Sequence, residues 1–244
     1  MSAFQTAAFY ELLGNSAGRL EREGDFLLGA LARAPMNRVA DLACGLGLHA
    51  QFLADHGAEV CATDLSPEMI RHAQETRAHP RIQYVVRDMR ETDGGPYGLI
   101  LCLGNSLSLL TDTTDLQRFF TAASTALAPG GLLVTQTLNY DAEAMKRPRI
   151  RVERASVDDG DIAAVKRFLP GAESTLLSIT YYAATRTAFM DTTETVRLRH
   201  WTTQALIDAA ERAGLTADAL FGGFDKSPFA KDATDIVFTA QKPT

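Results

Sequence analysis

Short apolar runs alternate along the chain with longer segments whose apolar residues recur at helical spacing. The pattern predicts strands at 38–42, 59–64, 81–89, 98–103 and 132–138, and helices near 19–33, 48–56, 67–78 and 115–127. Ser66 and Pro67 mark the start of one helix, and Gly57 follows the end of another. Strands that alternate with helices in this way predict an α/β fold with a doubly wound parallel sheet.

The pattern changes after residue 140, where threonine, valine and tyrosine alternate and few helical segments remain. Segments 150–154, 175–187 and 192–199 predict antiparallel strands. A helix at 202–213 and strands at 219–221 and 235–241 then complete a seven-stranded main sheet. We therefore expect a Rossmann-like core of residues 1–140 and 200–244. Residues 141–199 are expected to form a small inserted, β-rich subdomain.

The first predicted strand ends in a glycine-rich turn. Asp41 is followed by Gly45 and Gly47, and a helix begins directly afterwards. Glycine permits positive φ, and its missing Cβ lets a ligand approach the main chain closely. The same turn, read through to Ala50, also satisfies the loose dinucleotide fingerprint, so an NAD(P)-dependent oxidoreductase is an alternative. Against that alternative, the sequence shows no catalytic Tyr-x-x-x-Lys pair.

Polar residues also follow the next three predicted strands. Asp64 and Asp88 close the second and third strands, and the fourth runs into Gly104, Asn105 and Ser106. Because ligands of open parallel sheets bind at the carboxyl ends of the strands, we expect these residues to converge on one crevice. An ionised carboxylate can accept both hydroxyls of a ribose, or an exocyclic amine. Helix capping is the alternative role for either acid.

This ordered series resembles the class I S-adenosylmethionine (SAM) methyltransferases over residues 1–140. The resemblance implies that the turn holds the methionine part of SAM, that Asp64 binds the ribose hydroxyls, and that Asp88 binds the adenine amino group. It also implies an arginine on the cofactor's carboxylate, a place that Arg19 takes here. The full set of expected cofactor residues is Tyr10, Arg19, Asp41, Ala43, Gly45, Gly47, Asp64, Leu65, Met69, Asp88, Met89, Leu103 and Asn105.

Two further segments, 101–107 and 138–141, are similar to glycine N-methyltransferase and its small-molecule relatives. The similarity implies that the insertion at 141–199 is a lid that covers the cleft and carries substrate contacts. Asn105, Asn139 and Tyr140 follow the fourth and fifth predicted strands, and we expect them to be the catalytic residues that orient the methyl acceptor. Two positions depart from the relatives, because Leu109 stands where they tend to carry histidine and Ala142 where they often carry tyrosine. Both departures lie on the substrate side, so the resemblance supports methyl transfer well and glycine as the acceptor poorly.

We therefore expect a SAM-dependent methyltransferase that acts on a small polar molecule, with N-methylation slightly favoured over O-methylation. Transfer of an activated methyl group depends on alignment and on exclusion of water, and it needs no metal. A non-catalytic SAM-binding protein is a further alternative, because cofactor motifs predict binding and not turnover. Candidate lid residues are Tyr181, Tyr182, Arg186, Arg199 and His200; the two tyrosines are adjacent in a predicted strand, so they should face opposite ways.

Composition limits the partners that we expect. The net charge is −6 and the basic residues are scattered apart from 146–151, so we expect no nucleic-acid partner. No apolar stretch is long enough to span a membrane and no leader-like segment is seen, which predicts a cytoplasmic protein without membrane partners. The 3 cysteines lie in or next to predicted strands without zinc-type spacing. A homodimer is one assembly that the sequence leaves open.

Overall fold

The computed structural model describes residues 6–13, 16–158 and 160–244, and the first half of the chain alternates between helices and strands. The helices are α1 (Thr6–Leu13), α2 (Ser16–Arg33), α3 (Leu48–Asp55), α4 (Pro67–Thr76) and α5 (Thr113–Ala126), with a short 3-10 helix at Ser106–Leu109. The strands are β1 (Arg38–Leu42), β2 (Glu59–Asp64), β3 (Ile82–Val86), β4 (Tyr97–Cys102) and β5 (Leu127–Leu138).

The second half begins with four consecutive strands and ends with a helix and two strands. These elements are β6 (Arg149–Val157), β7 (Gly160–Pro170), β8 (Ser174–Thr185), β9 (Phe189–Arg199), α6 (Thr203–Arg212), β10 (Thr216–Phe221) and β11 (Asp235–Gln241). A second short 3-10 helix lies at Glu143–Met145. Among the described residues, no helix combines the length and apolar character that a membrane crossing requires.

The main sheet has the strand order β10-β11-β5-β4-β1-β2-β3. Strands β1 to β5 pair in parallel, whereas β11 runs antiparallel to both β5 and β10. The order reverses between β1 and β4, which is the position where open α/β sheets form a ligand crevice. Strands β6 to β9 form a separate antiparallel sheet. The predicted α/β fold, with a mostly parallel seven-stranded sheet and an inserted antiparallel sheet, is confirmed.

Helices cover both faces of the main sheet, as a doubly wound fold requires. On one face, Phe119 and Phe120 of α5 pack with Leu206 of α6 in a single buried cluster. On the other face, Leu27 of α2 packs with Leu53 of α3. The sheet therefore lies at the centre of the core, and its strand ends lead into the crevice.

The start of α4 follows the predicted capping pattern. The Ser66 side chain accepts a hydrogen bond from the backbone N–H of Met69 at 3.3 Å, and Pro67 occupies the first helical position. Proline has no N–H to lose there, and its fixed φ suits the first turn of a helix. This cap places the residues just before it, including Asp64, at the crevice.

The largest differences from the sequence prediction concern three elements. Helix α1 and strand β7 were not predicted, because α1 is short and β7 contains alanines and charged residues that are poor strand formers. Strand β5 begins at Leu127 instead of 132, so it runs through Pro129 and Gly130. Gly130 has a φ of 75° and its N–H donates to the Lys242 carbonyl, so pairing with the C-terminal segment holds this irregular backbone in the sheet.

Helix α1 joins the core to the lid sheet, which we define as β6 to β9. Phe9 of α1 packs with Ile162 and Tyr181 on one face of the lid sheet. On the core side, Glu11 of α1 receives two hydrogen bonds of 2.6 Å from Arg77, which directly follows α4. The lid sheet is thereby tied to the edge of the crevice.

Candidate functional site

A cavity of about 550 Å³ lies at the carboxyl ends of the central parallel strands. The expected cofactor residues that line it are Tyr10, Arg19, Asp41, Ala43, Gly45, Asp64, Leu65, Met69, Asp88, Met89 and Leu103. Gly47 and Asn105 do not line the cavity, although the residues on both sides of each one do. The structure therefore brings together, around one cavity, residues from α1, α2 and the ends of β1 to β4.

The two glycines of the turn after β1 serve different purposes. Gly45 has a φ of 55°, and a Cβ added there would meet no atom within 4 Å, so its surface is open to the cavity. Gly47 has a φ of 76°, and a Cβ there would lie 2.6 Å from the Tyr84 hydroxyl. Gly45 therefore leaves room for a ligand, whereas Gly47 lets α3 begin against β3.

Asp64 faces the cavity and also holds the glycine turn. Its Oδ2 accepts from the backbone N–H of Gly45 at 2.9 Å, and its Oδ1 accepts from the N–H of Ser66 at 2.9 Å. Each carboxylate oxygen can accept more than one hydrogen bond, so both retain capacity for ligand hydroxyls. Capping of α4 is performed by the Ser66 side chain and not by Asp64.

Asp88 is held in place by an arginine that sequence reasoning missed. Arg90 donates to Asp88 from its backbone N–H at 2.8 Å and from its side chain at 2.9 and 2.5 Å. Another nitrogen of the same guanidinium lies 2.6 Å from Asp115, at the start of α5. The hydrogen bonds from Arg90 lower the pKa of Asp88, so this carboxylate stays ionised at the cavity wall.

Asp41 and Arg19 present opposite charges to the same end of the cavity. Asp41 is 1% exposed, and its Oδ2 has no hydrogen-bond partner among the described residues. Burial raises the pKa of Asp41 to about 6, although the nearby His49 and Arg19 oppose that shift. Arg19 lies against Gly104, whose absent Cβ leaves room for the guanidinium. Both side chains are therefore available to a ligand that carries both signs of charge.

The two predicted acceptor residues Asn105 and Tyr140 contact each other. Asn105 Nδ2 donates to the Tyr140 hydroxyl at 2.8 Å. Asn105 Oδ1 accepts from the Leu138 N–H at 2.9 Å and from the Ser108 hydroxyl at 2.8 Å. Asn105 has a φ of 67°, a conformation that asparagine tolerates better than most residues. Tyr140 is buried and stacks on the His200 ring at a centroid distance of 4.2 Å.

Asn139 lies apart from this pair and holds a loop. Its Nδ2 donates to the carbonyls of Lys231 at 3.0 Å and Ala233 at 2.8 Å, and its Oδ1 accepts from the Asp141 N–H at 3.2 Å. It is almost completely buried, and it lines a second cavity that is separate from the first. These contacts join the end of β5 to the segment that precedes β11.

The adjacent lid tyrosines face opposite ways, as predicted. Tyr181 is buried against Phe9 and donates from its hydroxyl to Glu194 at 2.6 Å. Tyr182 points to the other face of the lid sheet, where its ring lies 6.1 Å from Phe189. Tyr10 lies 6.2 Å from the Tyr181 ring and lines the cavity. Burial raises the pKa of Tyr10, so its hydroxyl stays protonated at neutral pH.

The other lid candidates lie at the two ends of β9. Arg199 pairs with Glu173 at 2.7 Å, and the His200 ring accepts from or donates to Thr175 at 2.9 Å. Arg186 lies in the turn between β8 and β9. Within the described part of the chain, none of these three residues lines the cavity at the strand ends.

The cysteines are small buried side chains near the cavity. Burial raises the pKa of Cys44 and Cys102, so both thiols stay protonated at neutral pH. Cys61 is partly buried beside them. Within the described residues, no group of three or more histidine, cysteine or acidic side chains is arranged to hold a metal ion.

Several cavity-lining residues carried no sequence signal that we used, namely His49, Arg77, Arg87, Arg90 and Asp115. For His49 a signal was present but unused, because a histidine on the buried face of α3 needs a polar partner. For Arg90 the signal was weaker: it follows Asp88 by two residues in a loop. The pairings themselves are long-range and could not be read from spacing.

Comparison with known families decides between the cofactor hypotheses. Residues 39–131 match the model of a family described as a methyltransferase domain. This segment of the chain is a methyltransferase domain. The match covers the glycine turn, Asp64, Asp88 and Asn105, and it counts against the NAD(P)-dependent oxidoreductase alternative. The predicted family and cofactor are confirmed.

The methyltransferase domain is similar to curated N-methyltransferases. It is 34% identical over 128 residues to a glycine/sarcosine N-methyltransferase of Halorhodospira halochloris, covering 50% of this chain and 48% of that protein. It is 30% identical over 147 residues to the glycine N-methyltransferase of Oryctolagus cuniculus, covering 53% of this chain and 50% of that protein. The aligned segment therefore spans about half the length of these relatives.

Solved structures share the fold over nearly the whole chain. A SAM-dependent methyltransferase from Clostridium acetobutylicum superposes with a TM-score of 0.83 at 17% identity, covering 98% of both chains. A sugar N-methyltransferase from a Streptoalloteichus species superposes with a TM-score of 0.82 at 20% identity, covering 96% of this chain and 93% of that one. The lid sheet is therefore part of a fold that other proteins share.

Proposed function

We propose that this chain is a SAM-dependent methyltransferase that methylates a nitrogen atom of a small polar molecule. The observation that carries the proposal is the pair of opposite charges at one end of the cavity. The unpartnered Oδ2 of Asp41 and the guanidinium of Arg19 are complementary to the ammonium and carboxylate of a free amino acid. SAM carries such a group at its methionine end.

The glycine turn also favours SAM over a dinucleotide. The Gly45 N–H already donates to Asp64, and Asp41 lines the same cavity, so phosphates placed at this turn would meet two carboxylates. SAM has no phosphate and carries a positive sulfonium. We assign Asp64 to the ribose hydroxyls and Asp88 to the adenine amino group. The apolar side chains of Leu65 and Met89 suit the faces of the adenine ring.

The remaining cofactor contacts belong to the turn and its surroundings. The open surface of Gly45, together with Ala43, would let the main chain approach the methionine part. Gly47 supports the turn from behind. Tyr10, Met69 and Leu103 complete the wall, and Asn105 fixes the backbone beside Leu103 and Gly104.

The bound sulfonium would supply an activated methyl group for in-line displacement. The chain's own task is then to align the acceptor, to exclude water, and to leave the acceptor nitrogen unprotonated. Tyr10 is a poor base, because burial raises its pKa. We therefore assign no base, and we expect an amine acceptor to lose its proton to solvent before it binds.

We keep Asn105 and Tyr140 as acceptor-side residues, because their mutual hydrogen bond orders the ends of β4 and β5. The contacts of Asn139 suit a supporting role in the same region. The names of the relatives support an amine acceptor, since both are N-methyltransferases. Glycine itself is a weaker candidate, in view of the departures at Leu109 and Ala142.

The test is acceptor-dependent turnover. Purified protein with SAM is incubated with glycine, sarcosine, amino sugars and phenols, and formation of S-adenosylhomocysteine is followed with mass analysis of the product. We expect turnover with an amine and a methyl group on its nitrogen. Turnover only with a phenol would contradict N-methylation. Binding of SAM without turnover on any acceptor would favour the non-catalytic alternative.

A further inference from the structure

A buried polar cluster lies behind the glycine turn, between α2 and α3. Glu23 is 6% and His49 4% exposed. Glu23 Oε2 lies 2.6 Å from His49 Nε2, and Arg19 Nε donates to the same carboxylate at 3.0 and 3.3 Å. A carboxylate buried this deeply is unfavourable unless it is paired and hydrogen-bonded. The three side chains therefore depend on one another.

The cluster fixes which edge of the Arg19 guanidinium faces the cavity. Its Nε is bound to Glu23, and its Nη2 lies 3.2 Å from the position that a Cβ on Gly104 would take. Across the described part of the chain, neither Nη atom of Arg19 donates a hydrogen bond to a protein acceptor. The guanidinium thus presents an edge whose two nitrogens bond to none of the described residues, a geometry that matches a carboxylate.

We propose that Glu23 and His49 are positioning residues: His49 holds the Glu23 carboxylate, and Glu23 holds Arg19 against the carboxylate of the cofactor. This inference rests on the proposed function. Arginine is long and flexible, so ordering it before the ligand arrives removes an entropic cost of binding. The benefit falls on the carboxylate of the ligand and not on its adenosine part.

The same cluster also affects the other end of the amino-acid group. Arg19 and His49 both lower the pKa of Asp41, which burial raises. If Arg19 moved away from its present position, Asp41 would lose a nearby positive charge that lowers its pKa, and its carboxylate would be protonated more easily. At pH 7.5, more than one unit above the pKa of about 6, Asp41 is mostly ionised, so titrations at that pH report chiefly on the carboxylate of the ligand.

Two ligands that differ only in the carboxylate give the sharpest test. SAM and decarboxylated SAM share the adenosine, the sulfonium and the amine. Their dissociation constants are measured by calorimetry for the unmodified chain, for Glu23→Gln and for Glu21→Gln. Glu21 is exposed on the same helix and loses the same charge, so it is the matched control.

We expect the unmodified chain and Glu21→Gln to prefer SAM by about tenfold or more, as a charge-assisted contact to the carboxylate predicts. In Glu23→Gln the preference should fall to about twofold, because the guanidinium is no longer held. Affinity for decarboxylated SAM should stay within about threefold of the unmodified value. A role in packing alone would weaken both ligands equally.

Two substitutions at His49 separate its hydrogen bond from its size. His49→Gln keeps a nitrogen donor at about the reach of Nε2, whereas His49→Leu fills similar space without a donor. We expect His49→Gln to retain most of the preference for SAM and His49→Leu to lose it. Thermal unfolding of each variant shows whether the protein is folded at the temperature of the titration.

The outcomes separate this inference from the proposed function. If the unmodified chain binds neither ligand, the proposed function fails and the inference fails with it. If it prefers SAM and Glu23→Gln keeps that preference, only the inference is wrong. Equal affinity of the unmodified chain for the two ligands would also overturn the inference, since Arg19 would then not hold the carboxylate.

Discussion

The end of the cofactor cavity at Asp41 and Arg19 and the acceptor side of the cleft use their polar atoms in opposite ways. At the first, Asp41 leaves an oxygen without a partner among the described residues, and Arg19 keeps an edge toward the cavity that bonds to none of them. On the acceptor side, the polar atoms of Asn105 and Tyr140 bind each other, and Tyr181 donates to Glu194. The first arrangement is ready for a charged ligand. In the second, the polar side chains already bond to one another, so a methyl acceptor would contact only the atoms that these hydrogen bonds leave exposed.

The difference shows what each side contributes. Unpartnered charges in a cavity are unfavourable in the free protein and become favourable when a complementary ligand arrives. A closed hydrogen-bond network holds its shape without a ligand. We infer that the cofactor side supplies affinity and the acceptor side supplies geometry, and the following substitutions test that division from the largest expected effect to the smallest.

Asp64→Ala should weaken binding of S-adenosylhomocysteine by about 100-fold, or about 3 kcal/mol, because the ribose loses a charged acceptor. The chain should remain folded, since Asp64 lies at the cavity and outside the apolar core. Calorimetric titration gives the affinity, with Asp55→Ala on the exposed end of α3 as the control. Normal affinity in the Asp64 variant would show that the pocket assignment is wrong.

Gly47→Ala and Gly45→Ala should separate support of the turn from contact with the ligand. At Gly47 the added Cβ meets Tyr84 and the φ is positive, so we expect a loss of about 2 kcal/mol in the free energy of unfolding. At Gly45 the space is open, so the loss in stability should be about 1 kcal/mol and the loss in ligand affinity should be larger. Urea titrations measure the free energy of unfolding and calorimetry measures the ligand affinity. A larger loss of stability in Gly45→Ala and a larger loss of affinity in Gly47→Ala would contradict the separate roles of the two glycines.

Asn105→Ala should lower turnover about tenfold and leave affinity for S-adenosylhomocysteine within about threefold, because the amide orders the acceptor side through Tyr140. Since φ at this position is 67°, Asn105→Gly serves as a control that removes the amide without the backbone strain. Steady-state kinetics and calorimetry provide the readouts. Equal losses in turnover and affinity would move Asn105 to the cofactor side.

Binding should weaken at low pH, because a protonated Asp41 cannot accept from the ligand's ammonium as an anion. With a pKa of about 6 in the free protein, affinity should fall about fourfold between pH 7.5 and pH 5.5. The groups that set this pKa are His49, Arg19, Asp64 and the Ala50 N–H, besides burial. Calorimetry at both pH values measures the change in affinity, and in Asp41→Asn the affinity should no longer depend on pH over this range.

Stability of the ligand-free protein should respond to Asp41 with the opposite sign. Folding raises this pKa above its unfolded value of about 4, so the folded state binds the proton more tightly. The contribution of Asp41 to the free energy of unfolding therefore falls as the pH rises from about 4 to about 6. Asp41→Asn should remove that dependence, and urea titrations across the window would measure it.

The elements of the core could be predicted because each is specified by residues that are close together in the sequence. The turn from Asp41 to Gly47, the cap at Ser66 and the strand-terminal Asp64 are each specified by a few neighbouring residues. The α/β alternation then places them at one sheet edge, so many of the residues that line the cavity could be named from the sequence alone. The role of Gly47 could not be predicted in this way, because its packing against Tyr84 depends on β3, which lies further along the chain.

The lid and the acceptor side depend on long-range pairing that spacing does not encode. Strand β7 has weak strand propensity and is held by β6 and β8 on its two sides. Asn139 was expected on the acceptor side because it follows the fifth predicted strand; its side chain donates to two carbonyls just before β11, a pairing that the sequence did not indicate. The Glu23–His49 contact joins two helices in the same way.

Calorimetric titration of the purified chain with S-adenosylhomocysteine, with NAD as the control, tests the central claim most directly. The opposite charges of Asp41 and Arg19 predict binding of S-adenosylhomocysteine with a dissociation constant on the order of micromolar, and no binding of NAD. Binding of NAD, or binding of neither ligand, would contradict the assignment of this cavity to SAM.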